Sequence, residues 1–438
     1  MPRIKLVDST PWSPHPQAAP VTRRRGQRYH VSSNGTRSCS GGWQFEFAGV
    51  VPGAVYEISA ECRFRDLEHP RDSVFCVLNW GRMPTDTALP NAKSGWDYLL
   101  PEFSGKRVVF SRVAQAATES DRLTLRCNFR WADAGKVSWA VPSVRRSARK
   151  IASKRLLRIA VVTGGNDSRP RPLKTIQDNI DFYAPLCEKA CAEKPGLILL
   201  PEIALQWGIN AHPFDVAVPA PGPETGVFAR IAKKYKTRIC LGLIERDGDA
   251  VFNTALLIGP NGRIDGRYHK VHLAVGSEAE SGILPGDDFP VFDTELGRVG
   301  CNICMDSSAA ESSRMVGLNG ADFLLLPIMG DHRASRWSQG SPNFSEERWK
   351  AIMRTRAMDN QLTMVVARNN CIGSCIIDRK GDILAWNEGE DDYIFADVPV
   401  NDGYRTWNGG CFKSINWLQR RPHLYEEYSD LGNIGSLK

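Results

Sequence analysis

Gly297-Arg298-Val299-Gly300-Cys301-Asn302-Ile303-Cys304-Met305-Asp306 runs from an apolar segment through a cysteine into a polar turn, and helical spacing follows over residues 308–318. Strand, turn and helix start in that order are the local grammar of a layered α/β domain, where a reactive residue stands at the rim of a sheet. Backbone N–H groups and the positive end of a helix dipole at such a turn lower a thiol pKa and can receive an oxyanion. The turn has the build of a nucleophile elbow without the G-x-S-x-G pattern. Cys301 and Cys304 also have the spacing of a redox pair. Against that reading, the pair runs along a strand rather than opening a helix, and alternation turns Cys301 away from its even-numbered neighbours.

The same grammar extends in both directions. Downstream, residues 323–326 read as a strand, 346–360 as a helix, and 363–367 and 374–377 as strands. Upstream, 157–162 is an apolar strand, 173–192 has helical spacing, and 197–200 is a second apolar strand ending at Pro201-Glu202. Residues 226–235 read as helix, 239–244 as strand, and 253–267 as a hairpin turning at Pro260-Asn261-Gly262. Apolar strands alternating with amphipathic helices predict helices on both sheet faces. Residues 41–144 differ: short period-two runs broken by Gly, Pro and polar turns predict a small all-β sandwich. Before it, Pro11, Pro14, Pro16, Pro20 and Arg23-Arg24-Arg25 read as a basic, proline-rich arm over residues 1–40. Residues 145–155 read as a linker. The expected organisation is an arm (1–40), an accessory β-sandwich domain (41–150), an α/β domain (156–425) and a tail (426–438).

At 438 residues the chain exceeds one typical domain. Its 42% hydrophobic and 24% charged content and mean hydropathy of −0.31 are ordinary for a globular protein. No stretch approaches the roughly 20 apolar residues of a membrane helix, and the N-terminal segment lacks the apolar core of a secretory signal. The expectation is a cytoplasmic protein, its 12 cysteines reduced and mostly buried as small hydrophobes. The net charge of +7 is uneven: residues 1–155 hold 25 Lys/Arg against 13 Asp/Glu, leaving the remainder net acidic. Such a basic appendage suits an anionic polymer or a solvated surface; nucleic acid is not the expected partner.

Two further segments place a reactive side chain beside an apolar run. Glu202 follows Leu199-Leu200-Pro201, so its carboxylate stands at the rim of the sheet. Lys270 lies in Gly266-Arg267-Tyr268-His269-Lys270-Val271-His272-Leu273, directly after the hairpin, where a lysine can also snorkel to solvent. A zinc site would need a second pair of ligands beside Cys301 and Cys304, and the spacing of His269 and His272 supports it weakly.

Together these segments resemble the nitrilase superfamily of carbon–nitrogen hydrolases, which uses a Glu–Lys–Cys triad in that chain order. The resemblance covers about residues 156–425. It includes Leu200-Pro201-Glu202, the 253–262 hairpin, residues 268–273, Pro285-Gly286-Asp287 and 297–306. It continues through Glu311, Arg314, Gly320-Ala321-Asp322, Pro327, Arg356-Ala357-Met358-Asp359-Asn360 and Arg420-Arg421-Pro422-His423-Leu424-Tyr425. It implies an α-β-β-α sandwich, a homodimer or larger homo-oligomer, and no metal or organic cofactor. It also implies Cys304 as nucleophile, Glu202 as base, and Lys270 with the Met305 backbone N–H as oxyanion donors. An auxiliary glutamate falls to Glu278 or Glu280, with Glu278 preferred.

The chain departs from the pattern in places. Residues 305–310 lack the proline often found there, and Asp359 stands where the family has Glu. The loop after residue 329 carries Arg333, Arg336 and Trp337, candidates for binding a carboxylate-bearing substrate such as an N-carbamoyl amino acid. Trp43, Trp80, Trp96, Trp131 and Trp139 could form a sugar-stacking platform on the β domain or simply its core. The leading expectation is hydrolysis of a small amide or N-carbamoyl compound through a cysteine thioester, an EC 3.5 reaction. Alternatives are a nitrilase, or a glycan-binding or polymer-binding scaffold with a non-catalytic hydrolase domain.

Overall fold

Arg155–Val162, Leu197–Leu199 and Arg238–Asp247 lie side by side as parallel strands. Their near-continuous apolar character is what a sheet covered on both faces requires. Antiparallel strands extend it: Ala250–Ile258 and Ile264–His269 on one edge, Tyr393–Val400 on the other, making six. In a second six-stranded sheet Gly297–Cys301, Phe323–Ile328 and Thr363–Arg368 are parallel. Val291–Thr294 flanks them on one side, Cys375–Ile377 and Ile383–Trp386 on the other. This is the computed structural model of the chain, and it describes residues 4–81, 97–151, 153–165, 173–335, 344–401 and 416–425.

Alternation sorts the side chains of the first sheet. Ile159, Val161, Leu199 and Leu257 share one core with Cys301, Leu325, Val365 and Ile376 of the second sheet. Ala160, Val162, Ile198 and Ile239 pack instead with Tyr183 and Cys187 of helix Ile176–Ala190, and with Phe228 and Ala232 of helix Pro223–Tyr235. The first of these helices starts at a capping box: Asp178 N–H donates to the Thr175 hydroxyl, and the Asp178 carboxylate accepts from Thr175 N–H. Helix Glu346–Asn360 buries Trp349, Met353 and Ala357, one turn apart, in the core that holds the second sheet.

These strands belong to the compact unit Lys154–Asp402; the other unit is Met1–Ser153 with Gly403–Lys438. In that other unit one sheet has the order Lys5–Trp12, Ser40–Ala48, Arg122–Arg130, Val74–Trp80, Asp97–Tyr98. A second holds Val21–Arg25, Arg28–Ser32, Lys136–Ala140, Val55–Arg65, Arg107–Gln115 and Leu100–Ser104 in that order, with Ser143–Arg146 paired to Val55–Arg65. Their inward residues, among them Tyr29, Phe45, Ile58, Phe110 and Leu125, form one core.

Residues 1–40 correct the expectation of an arm, because Lys5–Trp12 is an edge strand and Val21–Arg25 with Arg28–Ser32 a hairpin. Edge strands carry charge and proline and expose much of their length, so neither alternation nor apolar content marks them. The sugar platform is corrected too. Trp43, Trp80 and Trp139 are buried in the core, and exposed Trp131 is stacked under the Arg130 guanidinium. Trp96 lies outside the described residues. Residues 416–425 pack within this same unit: Arg421 pairs with Asp72 at 3.0 Å and His423 stacks on His69.

Candidate active site

Glu202 leaves the strand Leu197–Leu199 at the rim the sequence indicates, and Ile203 after it has φ +43°. A β-branched residue in that region is strained. The turn fits because Gly242 on the neighbouring strand has no side chain: a Cβ there would lie 2.2 Å from the Pro201 carbonyl oxygen and 2.9 Å from the Glu202 Cα. The buried carboxylate is held from three sides. Its Oε1 accepts from Lys270 Nζ and Asn253 Nδ2, each at 2.9 Å, and Oε2 accepts from the Met329 backbone N–H at 2.9 Å. Asn369 Nδ2 fixes the Glu202 carbonyl at 2.6 Å.

Lys270 follows Ile264–His269, a strand that two antiparallel reversals return to the direction of Arg238–Asp247. Its N–H donates to the Asn253 carbonyl and its own carbonyl accepts from Gly286 N–H, both at 2.9 Å. At Gly286 a Cβ would meet the His269 carbonyl at 2.2 Å, so that glycine lets the second clamp close. The ammonium is 1% exposed and lies 2.9 Å from Glu202 and 2.7 Å from Glu278. Burial works against its charge, but Glu202, Cys304 and Glu278 outweigh it and hold the ammonium above the ordinary lysine range. Glu278 is tied down by Asn253 Nδ2 at 2.5 Å and by Ala274 N–H at 2.7 Å. Glu280, the alternative auxiliary residue, is exposed.

Cys304 opens the short 3-10 segment Cys304–Ser308, which also carries Met305, and has φ +45°. Burial, then the charge of Glu202, push its thiol up to about 12, against the pull of Lys270. The turn is fixed by buried Asp306, which accepts from Ile303 N–H at 2.8 Å, Tyr268 Oη at 2.6 Å and His272 N–H at 2.9 Å. Asp306 therefore ties the cysteine turn to residues on either side of Lys270. Cys301 lies in the core between the sheets together with Cys240 of the first sheet. The eleven described cysteines are all buried and free.

Glu202, Lys270, Glu278 and Cys304 open together into a cavity of about 220 Å³. Its other described walls are mainly apolar, with Ile203, Ile209, Pro213, Val216, Ile244 and Ile283. Arg333 is not among them. Its guanidinium is engaged by Asp331 at 2.6 and 3.0 Å and by the Ser307 carbonyl at 2.7 Å. Arg336 and Trp337 lie outside the described residues. His269 stacks on Phe252 and His272 faces Asp306, so the two rings serve different neighbours. Among the described residues no group of three His, Cys, Asp or Glu side chains could hold a metal ion, and no helix is long and apolar enough to cross a membrane.

Sequence reasoning missed Asn253, Gly242 and the anchoring role of Asp306. Asn253 had a signal, an amide inside the apolar strand Ala250–Ile258. Gly242 had a weaker one, a glycine amid buried aliphatic residues of Arg238–Asp247.

A family model for carbon–nitrogen hydrolases matches residues 158–407, more than half of the chain. An omega-amidase of Mus musculus is 25% identical over 279 residues, 60% of this chain and 93% of that protein. A citrullinase of Francisella tularensis is 29% identical over 237 residues, 50% of this chain and 79% of that one. A probable nitrilase of Schizosaccharomyces pombe is 30% identical over 176 residues; the match spans 39% of this chain and 60% of that protein. Among solved structures, an amidase from Nesterenkonia sp. aligns with TM-score 0.50 at 20% identity, covering 64% of this chain and 100% of the other, a likeness of fold.

Proposed function

Since the chain belongs to the carbon–nitrogen hydrolase family, we propose that Cys304, Glu202 and Lys270 hydrolyse the C–N bond of a small amide through a cysteine thioester. One observation carries this reading: a buried carboxylate, a buried ammonium and a thiol converge on one cavity. The relatives that bear the names omega-amidase and citrullinase support amide chemistry.

The residues divide the work by their chemistry. With its thiol near 12, Cys304 rests protonated at neutral pH, and Glu202 takes the proton as sulfur attacks the carbonyl carbon. Negative charge develops on the substrate oxygen, where Lys270 and the Met305 N–H stabilise it. In a site closed to water each such donor is worth about 3 kcal/mol. Glu202 passes its proton to the departing nitrogen, the C–N bond breaks, and ammonia leaves a thioester. Water, deprotonated by the same carboxylate, then adds to the thioester; the acid departs and the thiol regains its proton. Glu278 keeps Lys270 charged and oriented through both halves.

The walls select the substrate class. A cavity of about 220 Å³ lies below the roughly 300 Å³ lower bound of drug-sized pockets. Its described lining offers aliphatic surface and no guanidinium, which suits a short aliphatic amide better than the carboxylate-bearing compound expected from the Arg333 loop. The test is acid quenching during turnover of short aliphatic amides, followed by peptide mass mapping. The expected adduct is the substrate less ammonia on the Cys304 peptide. Turnover with an acyl group on any other residue overturns the assignment.

A further inference from the structure

The seven-stranded sheet of the N-terminal unit has an outer face that the hydrolase reading does not use. Alternation along Val55–Arg65 buries Tyr56, Ile58, Ala60 and Cys62 and turns Glu57, Ser59, Glu61, Arg63 and Arg65 the other way. Across the strands, Arg65 stands directly opposite Lys136, and Arg63 directly opposite Arg107. Like charges facing each other across a sheet are destabilising. Glu61 relieves one of them by pairing with Arg107 at 2.8 Å. Arg63, Arg65, Lys106 and Lys136 are exposed and have no ion pair among the described residues. They border a cleft of about 690 Å³ whose described lining contains no acidic residue. The field there is felt by His30, whose imidazole is lowered by burial and then by Arg25, Arg28, Arg23 and Arg65.

Several uncharged positions of this face are hydroxyls, beside Val109 and Val113. Ser32, Ser104 and Ser138 stand between the cations. Further along the same strands, Ser59 is paired with Ser111 on one side and Ser143 on the other, in a second groove that Glu57, Arg112 and Arg145 also line. Four residues separate Arg63 from Ser59, about 13 Å of strand. We propose that this face binds an acidic oligosaccharide, a carboxylated or sulfated glycan chain whose anionic groups lie over Arg63, Arg65 and Lys136 and whose hydroxyls meet the serines. A single-stranded nucleic acid would need aromatic platforms for its bases. The described lining offers no tyrosine or tryptophan: its Phe64 is half-buried and packed edge-on against Phe103, and its other ring, His30, is half-buried. A flat bilayer surface does not enter a cleft.

Calorimetric titration of the full chain tests this. The probes are a uronate hexasaccharide, a sulfated oligosaccharide, a neutral hexasaccharide, an oligothymidylate and phosphatidylserine vesicles. One or both acidic glycans should bind, more weakly at high salt, and the neutral chain should not. The double variant Arg63→Ser/Lys136→Ser should weaken that binding about tenfold or more through the loss of two charge-assisted contacts. Amide hydrolysis should stay unchanged. Lys233→Ser/Lys236→Ser, which removes the same charge from an exposed segment elsewhere, should leave binding intact. The melting temperature of the groove variant should hold or rise, since a facing like-charge pair is relieved; Arg65→Ser gives a second reading of the same face. Four results overturn the proposal: neither acidic glycan binds, the neutral chain binds equally, the oligonucleotide or the vesicles bind more tightly, or the groove variants bind as the wild type does.

Discussion

Gly242→Ala adds one methyl group beneath the turn that carries Glu202, and it should disable the site. The new Cβ would stand 2.2 Å from the Pro201 carbonyl oxygen, 2.8 Å from the Ile203 nitrogen and 2.9 Å from the Glu202 Cα. Carbon and oxygen approach comfortably at roughly 3.3 Å, so the turn bearing Glu202 must retreat by about 1 Å. That retreat drags the carboxylate from Lys270, Asn253 and Met329 N–H, all now at 2.9 Å. Misplacing a catalytic group by about 1 Å costs on the order of 100-fold in rate. Forcing a methyl into a packed interior costs about 1–3 kcal/mol of stability, which leaves a cooperative fold. The assay is kcat/KM on the best amide substrate, with a melting curve, for Gly242→Ala beside Gly248→Ala. At Gly248 an added Cβ meets nothing within 4 Å, although its φ of +62° carries strain of its own. The expected result is a large activity loss at Gly242 alone. Full activity in a folded Gly242→Ala protein would refute the claim that this glycine sets the Glu202 turn.

Other outcomes follow from the same geometry. Asp306→Ala leaves Tyr268 Oη and Ile303 N–H unpaired in the core, at about 1–3 kcal/mol each; melting should fall by roughly 10 °C, and a shift within error would sink the anchoring role. The hydrogen bond to Asp306 raises the His272 pKa, and the side chain is 41% exposed. Its stabilisation is therefore small, complete below the ordinary value of about 6.5, and lost as pH rises through the elevated folded value. His272→Gln should flatten that limb of the stability profile, and an unchanged profile would contradict it. Modification of Cys304 by a small neutral thiol reagent should quicken about tenfold per pH unit from neutrality to mild alkali, because burial keeps the thiol near 12. A plateau near neutral pH would mean a resting thiolate.

Much of the hydrolase unit is written locally. Strands buried on both faces are apolar throughout, and Leu197–Leu199 and Phe323–Ile328 declare themselves that way. Glu202 and Cys304 stand where such strands end, and local order is enough to point at them. What the sequence hides depends on distant partners. Gly242 matters because a loop from another segment passes over it, and Asp306 because Tyr268 and His272 arrive beside it. Arg333 read as a free cation because nothing local predicts that its neighbour Asp331 would claim it. In the N-terminal unit, Lys5–Trp12 escaped notice because an edge strand needs no alternation. Its tryptophans suggested a surface while Trp43, Trp80 and Trp139 in fact fill the core.

The most direct test is ammonia release from a panel of short aliphatic amides by the wild-type protein beside Cys304→Ala. Ammonia from the wild type and none from a variant with an unchanged melting curve is the predicted result. Equal release from both would contradict a cysteine thioester and remove Cys304 from the chemistry.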